Sequence, residues 1–344
     1  MDITFLQGLW FLLIAVLIVG YFILDGFDLG AGVLYPFIAK DEKEKAIVRR
    51  SVGPVWDGNE VWLLTAGGAL FAAFPMAYAT TFSGFYLAVM LVLFGLIVRA
   101  IALEFRAHDQ KWKKLWDICF FIGSLLPALL LGVAVGNIFA GIPMAANGDY
   151  SGFPLLGLIT PFTLLCGVLG LLLFMAQGAT WVSLKAPKPS TLQERVAKMR
   201  RPLQSAALVV FALITVFVLV LGAGPEMMAA LTIPRWLFAL LFVFALGASI
   251  AFGGKGSDLA AFICQSLAIG MLILLFAASM FPNFVVASPD SVGAAITAIN
   301  ASSSELTLKW MTIITCIGLP LVLLYHFIIY RTFRGRVREE DLTY

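Results

Sequence analysis

The chain has 344 residues, of which 61% are hydrophobic and only 12% are charged, with a formal net charge of +3. Soluble domains carry about 25% charged residues, so this composition excludes an ordinary soluble protein and indicates a membrane-embedded one. The net charge itself is uninformative, because the distribution of charge along the chain carries the information.

Nine apolar stretches are long enough to cross a membrane. A helical crossing needs about 20 predominantly apolar residues. The stretches run near residues 6–38, 55–74, 78–104, 117–140, 155–182, 204–222, 235–253, 258–280 and 308–330. We therefore predict an all-α integral membrane protein whose residues 1–344 form a single polytopic domain, a bundle of about nine transmembrane helices.

Lys and Arg residues collect in alternate connections between these stretches. The basic groups occupy residues 40–50, 99–114, 185–201, position 255 and residues 331–338. Only Arg235 and Lys309 fall in the intervening connections. Because basic residues gather on the cytoplasmic side, we predict a cytoplasmic C-terminus and an N-terminus, Met1, outside. Topology accounts for the basic residues, so we expect no nucleic-acid partner.

The first span carries two acids in its glycine-rich second half. Asp25 and Asp28 are three residues apart, which places them on one face of a helix. The preceding apolar residues already suffice to cross, so both acids should lie near the cytoplasmic boundary. Acids beside the membrane interior are functional candidates. The alternative is two interfacial carboxylates next to a packing face formed by Gly26 and Gly30.

A second acidic pair enters the next apolar stretch. Asp57 and Glu60 are again three residues apart, between Trp56 and Trp62, and Pro54 suits the first turn of a helix. Acids at a helix N-terminus are stabilised by the backbone dipole, which is the structural explanation. Dipole compensation alone would not require two acids, so a functional role stays open.

Arg99 lies among apolar residues of the third stretch. An unpaired charge there would be energetically unfavourable, so we expect a carboxylate partner. Glu104 does not share its helix face, which leaves Asp28 or Asp57 from other helices. All these groups fall toward the cytoplasmic side, an arrangement that favours proton or cation uptake over a binding site at the membrane midplane.

Histidines and cysteines predict what the chain does not bind. The two histidines, His108 and His326, cannot form a bis-histidine haem site inside the bilayer. The cysteines stand singly in apolar stretches with no Cys-x-x-Cys pair, at positions 119, 166, 264 and 316. We therefore expect no haem, metal or redox centre bound by this chain.

Three segments resemble subunit II of the cytochrome bd quinol oxidases: residues 25–32, 56–75 and 82–86. The similarity continues through residues 116–117, 121–124, 177–180 and 306–308 and covers essentially the full chain. The connection between the sixth and seventh stretches is shorter than in longer family members.

The resemblance implies a haem-free subunit paired with a subunit I of similar fold, which holds haem b and haem d. Such a complex lies in the bacterial or archaeal cell (inner) membrane, oxidises quinol and reduces oxygen to water with protons from the cytoplasm. A quinone held in this subunit, membrane lipid and small single-span accessory subunits are further partners that the resemblance leaves open.

The resemblance also implies a proton path through this chain. Four charged residues match positions of that path: Asp28, Asp57, Arg99 and Glu104. Two further residues would line it, Trp56 and Asn59, and two acids are weaker candidates, Asp25 and Glu60. Two other classes compete with this hypothesis. An ion-coupled transporter would place such groups near the midplane on broken helices, and a structural scaffold would give the acids no function.

Overall fold

Long helices make up most of the part of the chain that the structure describes. The computed structural model describes residues 3–109, 111–220, 222–225 and 231–342. The helices in these ranges are α1 Phe5–Ile38, α2 Glu42–Val52, α3 Trp56–Ala73, α4 Pro75–Gly84, α5 Tyr86–Phe105, α6 Lys113–Ala140, α7 Pro161–Lys185, α8 Thr191–Val220, α9 Thr232–Gly254, α10 Asp258–Met280 and α11 Glu305–Thr332. The all-α prediction is confirmed. The predicted outside position of Met1 lies outside the described residues.

Eight helices of the described ranges are long and apolar enough to cross a membrane: α1 and α5 to α11. The multi-pass prediction is therefore confirmed. The predicted span 55–74 corresponds to α3, which has 18 residues and carries Asp57, Asn59 and Glu60 in its first turns. Both the ninth span and the orientation in the membrane stay predictions.

The predicted span 78–104 is wrong as a single helix. The chain turns at Phe74 and again at Phe85, so that α4 stands as a short separate helix before α5. Pro75 occupies the first turn of α4, where its missing N–H is not needed. At the other end Gly84 lies so close to Tyr150 that an added Cβ would be 3.0 Å from its Cβ.

Helix α1 lies at the centre of the bundle, between α3, α6, α7 and α10. Its backbone meets α7 at Gly30, where an added Cβ would lie 1.7 Å from the carbonyl oxygen of Phe174. Gly26, one turn earlier, faces the ring of Phe174. Glycines at this spacing let two helices approach closely, and the same buried half of α1 carries Asp25 and Asp28.

One end of the bundle, here called the basic end, is joined by ion pairs. Asp117 of α6 binds Arg106 at 2.7 Å and Lys45 of α2 at 2.8 Å. Glu44 of α2 binds Arg195 of α8 at 2.8 Å. Helix α2 lies within a segment for which the sequence analysis predicted only a basic connection. These contacts show that basic connections from distant parts of the sequence meet at one end, as the topology prediction requires.

A second ion cluster extends the basic end toward the C-terminus. Asp258, at the start of α10, is 5% exposed. Its carboxylate binds Arg200 of α8 at 2.9 Å, Arg336 at 3.0 Å and Lys188 at 3.4 Å. The segment after α11 is thereby fixed against α7, α8 and α10.

The opposite end carries a small folded cap between α10 and α11. Strands β1 Asn283–Val285 and β2 Ile296–Thr297 pair antiparallel. Val285 and Ile296 are buried, and the backbone N–H of Ile142 donates to the carbonyl of Val286 at 3.0 Å. These apolar side chains give the connecting segment a small core of its own.

Candidate functional site

Arg99 is the centre of a buried charge cluster formed by α1, α3 and α5. Its side chain is 0% exposed, and its Nη2 donates to Asp25 Oδ1 at 2.7 Å and to Glu60 Oε1 at 2.5 Å. The expected carboxylate partner thus exists, but the prediction that it would be Asp28 or Asp57 is wrong. Burying these three groups together avoids the penalty of an isolated charge.

Asp28 belongs to a neighbouring hydrogen-bonded chain. Asn59 of α3 donates from Nδ2 to Asp28 Oδ2 at 2.7 Å, and Tyr330 of α11 donates to Asn59 Oδ1 at 2.9 Å. Asn59 Nδ2 also reaches the carbonyl of Leu24 at 3.3 Å. This chain of hydrogen bonds ties α11 to Asp28 at the centre of the bundle.

The cluster contains more carboxyl groups than guanidinium groups. Asp25 and Asp28 are 0% and 1% exposed, and the side chain of Glu60 is 24% exposed. Three carboxylates therefore share a single guanidinium, that of Arg99. Like charges about 4 Å apart repel by about 4 kcal/mol at an effective dielectric constant of about 20. A buried carboxylate in such surroundings relieves this repulsion when it binds a proton.

Several buried polar atoms at the site have no hydrogen-bond partner within the described ranges: Tyr21 Oη, Asp25 Oδ2, Asp28 Oδ1, Arg99 Nε and Arg99 Nη1. Such orphaned groups are rare in native proteins, and each one calls for an explanation. These atoms are hydrogen-bond donors and acceptors that the ion pairs of the site do not use. Internal water molecules characteristically bind groups of this kind.

The remaining predicted site residues lie at the edge of the cluster. Asp57 and Glu104 are exposed and Trp56 is half-buried, and the ion pairs of Arg99 within the described residues go to Asp25 and Glu60 instead. Asp57 is one helical turn from Glu60, the cluster member that reaches the protein surface. The roles predicted for Asp57, Glu104 and Trp56 stay predictions.

Sequence reasoning missed three neighbours of the cluster. Tyr21 is one turn before Asp25, so helical spacing could have identified it. Tyr330 and His326 are distant in sequence, and no local pattern could have placed them beside α3. Trp62 Nε1 donates to His326 Nε2 at 3.1 Å.

Hydrogen bonding occupies both nitrogens of the His326 ring. Because Nε2 accepts from Trp62, the ring proton resides on Nδ1, which donates to the carbonyl of Val322 at 2.9 Å. His108 is exposed just after α5. The described residues contain no group of three or more His, Cys, Asp or Glu side chains suited to a metal ion.

A separate apolar cavity of about 440 Å³ lies among α6 to α10. Its walls include Phe139, Leu169, Phe211 and Phe276, with Arg235 among the few polar residues. A cavity of this size and character can hold a hydrocarbon chain or another apolar ligand.

Comparison with known proteins agrees with the resemblance seen in the sequence. Residues 6–333 match the family described as cytochrome bd terminal oxidase subunit II. The chain is 35% identical to cytochrome bd-I ubiquinol oxidase subunit 2 of Escherichia coli (strain K12), over 99% of this chain and 97% of that protein. It is 36% identical to cytochrome bd ubiquinol oxidase subunit 2 of Bacillus subtilis (strain 168), over 98% and 99%.

The fold has a solved counterpart as well. The bd oxidase structure from Geobacillus thermodenitrificans superposes with a TM-score of 0.78, covering 96% of this chain and 99% of that chain. At 16% identity this match bears on the fold alone. Family match and sequence identity together identify the protein: the chain belongs to the cytochrome bd terminal oxidase subunit II family and is a membrane subunit of a respiratory oxidase.

Proposed function

We propose that this chain is the haem-free subunit II of a quinol:oxygen oxidoreductase and that its buried acids deliver cytoplasmic protons toward the partner subunit I. Relatives of the chain are named ubiquinol oxidase subunits. Reduction of oxygen to water consumes protons, and these must cross apolar protein to reach a buried reaction centre. Haem b and haem d, held by subunit I, would supply the electron transfer and the reduction of oxygen.

The cluster around Arg99 is the observation that carries this proposal. A proton carrier in a membrane must be able to hold a proton and release it again. The cluster has three carboxyl groups and one guanidinium group, so binding a proton reduces the repulsion among its carboxylates. Asp25 Oδ2 and Asp28 Oδ1 have no hydrogen-bond partner within the described residues. Each of these oxygens can therefore accept a transferred proton.

Geometry also suggests the direction of transfer. Glu60 is partly exposed and contacts Arg99, which in turn contacts fully buried Asp25. We infer that protons arrive at the exposed acids Asp57 and Glu104 and pass through Glu60 to the buried pair. Trp56 and Asn59 then line and orient the path, and Arg99 keeps its carboxylates in position.

The orientation follows from the basic end. Basic residues favour the cytoplasmic side, so the basic end would face the cytoplasm and the β1–β2 cap would face outward. The chain would then have nine crossings, with α3 as the ninth, and a cytoplasmic C-terminus. The bacterial inner membrane is the corresponding location.

The two hydrogen bonds of the His326 ring support the assignment of all haems to subunit I. Ligation of a haem iron by Nε2 would require breaking its hydrogen bond with Trp62. The apolar cavity among α6 to α10 fits the tail of a quinone or a lipid, which makes it the place where a quinone would bind in this subunit.

An ion-coupled transporter is less well supported. Transporters of that class carry their charged groups on interrupted helices. Helix α1 continues without interruption from Phe5 to Ile38 through both Asp25 and Asp28.

Glu60→Gln in the assembled oxidase tests the proposal. An amide cannot release a proton, so oxygen consumption at saturating quinol should fall about tenfold or more, while the haem spectrum stays unchanged. Glu305→Gln, an exposed acid at the opposite end of the bundle, is the matched control and should leave the rate unaltered. Equal rates for the two variants would contradict the proposal.

A further inference from the structure

Asn59 of α3 is fully buried, and both polar atoms of its side chain are hydrogen-bonded. Its Nδ2 donates to Asp28 Oδ2 at 2.7 Å and to the backbone carbonyl of Leu24 at 3.3 Å. Its Oδ1 accepts from the hydroxyl of Tyr330 at 2.9 Å. The proton path proposed above assigns no role to Tyr330, which reaches Asn59 from α11.

The hydroxyl of Tyr330 determines which way the amide of Asn59 faces. An amide oxygen can only accept a hydrogen bond, so Tyr330 is the donor in this contact. Because Oδ1 is held on the side of α11, the two N–H groups of Nδ2 are directed at α1, where Asp28 and Leu24 lie. The carboxyl group of Asp28 therefore faces a hydrogen-bond donor of Asn59.

The orientation of this amide affects the protonation of Asp28. A hydrogen bond from an amide N–H to a carboxylate favours the ionised form of the acid. A rotated amide would present Oδ1 to the same carboxyl group. An acceptor at that position favours the protonated form, because a carboxylic acid has an O–H to donate. The amide of Asn59, as it is held here, thus favours release of a proton from Asp28.

The other groups that act on Asp28 carry charge. Its strongest charged neighbours belong to α1, α3 and α5, and they are Asp25, Glu60 and Arg99. Tyr330 is the titratable neighbour from α11. Helices α2, α6, α7, α8 and α10 also pack on α1, but their charged side chains lie at the basic end. Replacing Tyr330 by Phe therefore alters the surroundings of Asp28 without adding or removing a charge.

We propose that Tyr330, acting through Asn59, sets how readily Asp28 releases its proton, which makes it a positioning residue of the proton path. The inference rests on the proposed function, in which Asp28 must both bind and release a proton. Without the hydroxyl of Tyr330, Oδ1 of Asn59 would be a buried acceptor that lacks its donor, which is unfavourable. Rotation of the amide toward a protonated Asp28 relieves this penalty, and the long hydrogen bond to Leu24 is what opposes it.

Infrared spectra of the assembled oxidase, recorded over a range of pH, test this role without requiring turnover. The carboxylic C=O band of Asp28 is identified as the band that Asp28→Asn removes. Tyr330→Phe retains the ring and its contact with Trp181. We expect this variant to keep the band to a pH about one unit higher than wild type, a shift of the size that a hydrogen bond to a charged group supports. Tyr325→Phe, at an exposed position of the same helix, is the matched control and should titrate as wild type does.

A double-variant cycle shows whether Tyr330 acts through Asn59. Asn59→Leu removes the donor to Asp28 and should shift the band at least as far as Tyr330→Phe does. Adding Tyr330→Phe to Asn59→Leu should cause no further shift, because both changes act on one contact. Three results would overturn the inference: a Tyr330→Phe band that titrates as in wild type, shifts that add in the double variant, or no pH-dependent band that Asp28→Asn removes.

Oxygen consumption separates this inference from the proposed function. Slow turnover of Glu60→Gln together with an unshifted band in Tyr330→Phe would refute the role of Tyr330 alone. Wild-type turnover of Glu60→Gln would refute the proton path, whereas a shifted band in Tyr330→Phe would still establish that Tyr330 controls the protonation of Asp28.

Discussion

Replacing Arg99 by Met should impair assembly of the oxidase, because it leaves Asp25 and Glu60 without their shared cation. Arg99 and Asp25 are both fully buried, and Glu60 is largely so. Removing one partner of a buried ion pair typically destabilises a protein by about 3–5 kcal/mol. One guanidinium here serves two carboxylates, so we expect a loss toward the upper part of that range.

Neutralising the carboxylates distinguishes lost charge from lost packing. Asp25→Asn alone leaves Arg99 paired with Glu60 and should destabilise the protein less than Arg99→Met. The triple variant, Arg99→Met with Asp25→Asn and Glu60→Gln, strands no charge, and it should recover much of the stability because neutral amides are less unfavourable to bury.

The assay is the yield of assembled, haem-containing oxidase in membranes, together with its melting temperature. Arg331→Met, an exposed arginine near the end of α11, is the matched control. Two results would refute the reasoning: Arg99→Met with the yield and melting temperature of the control, or a triple variant no more stable than Arg99→Met alone.

Three further predictions concern packing, pH and haem binding. Gly30→Ala should prevent the close approach of α1 and α7 and so reduce the amount of assembled enzyme. Gly67→Ala is the control and should be tolerated, because an added Cβ there meets nothing within 4 Å. The yield of assembled oxidase in membranes is measured for both variants. A hydrogen bond from Arg106 lowers the pKa of Glu42. The resulting stabilisation is present above the ordinary Glu pKa and is lost as the pH falls through the lowered folded value. The melting temperature of Glu42→Gln should therefore fall less steeply than that of wild type below about pH 5, and parallel curves would contradict this. His326→Ala should leave every haem band in the reduced-minus-oxidised spectrum, and loss of a band in assembled enzyme would place a haem ligand in this chain.

The sequence sufficed for the fold class and for most of the apolar spans, because continuous hydrophobicity is a local signal. It did not predict the break at Phe85, since the residues on both sides of that turn are apolar and read as one run. Likewise, the β1–β2 cap depends on strand pairing between Asn283 and Thr297, which no local pattern in the sequence predicts.

The sequence predicted which residues belong to the candidate site, but it did not predict which carboxylates pair with Arg99. Helical spacing puts Asp25 and Asp28 on one face of α1, and burial of Arg99 demanded a carboxylate. Spacing could not decide which acid faces Arg99, because the rotation of α1 is set by its packing on α7. The same limit applies to Tyr330, whose contact with Asn59 joins residues far apart in sequence.

The most direct test of the proton path is proton uptake by oxidase vesicles during oxygen reduction, measured in wild type and in Asp25→Asn combined with Asp28→Asn. The haem spectrum first establishes that the variant is fully assembled. The proton path predicts that uptake and oxygen consumption both fall about tenfold or more, because neither amide can accept and release a proton. Wild-type rates in the fully assembled double variant would contradict a proton path through these acids.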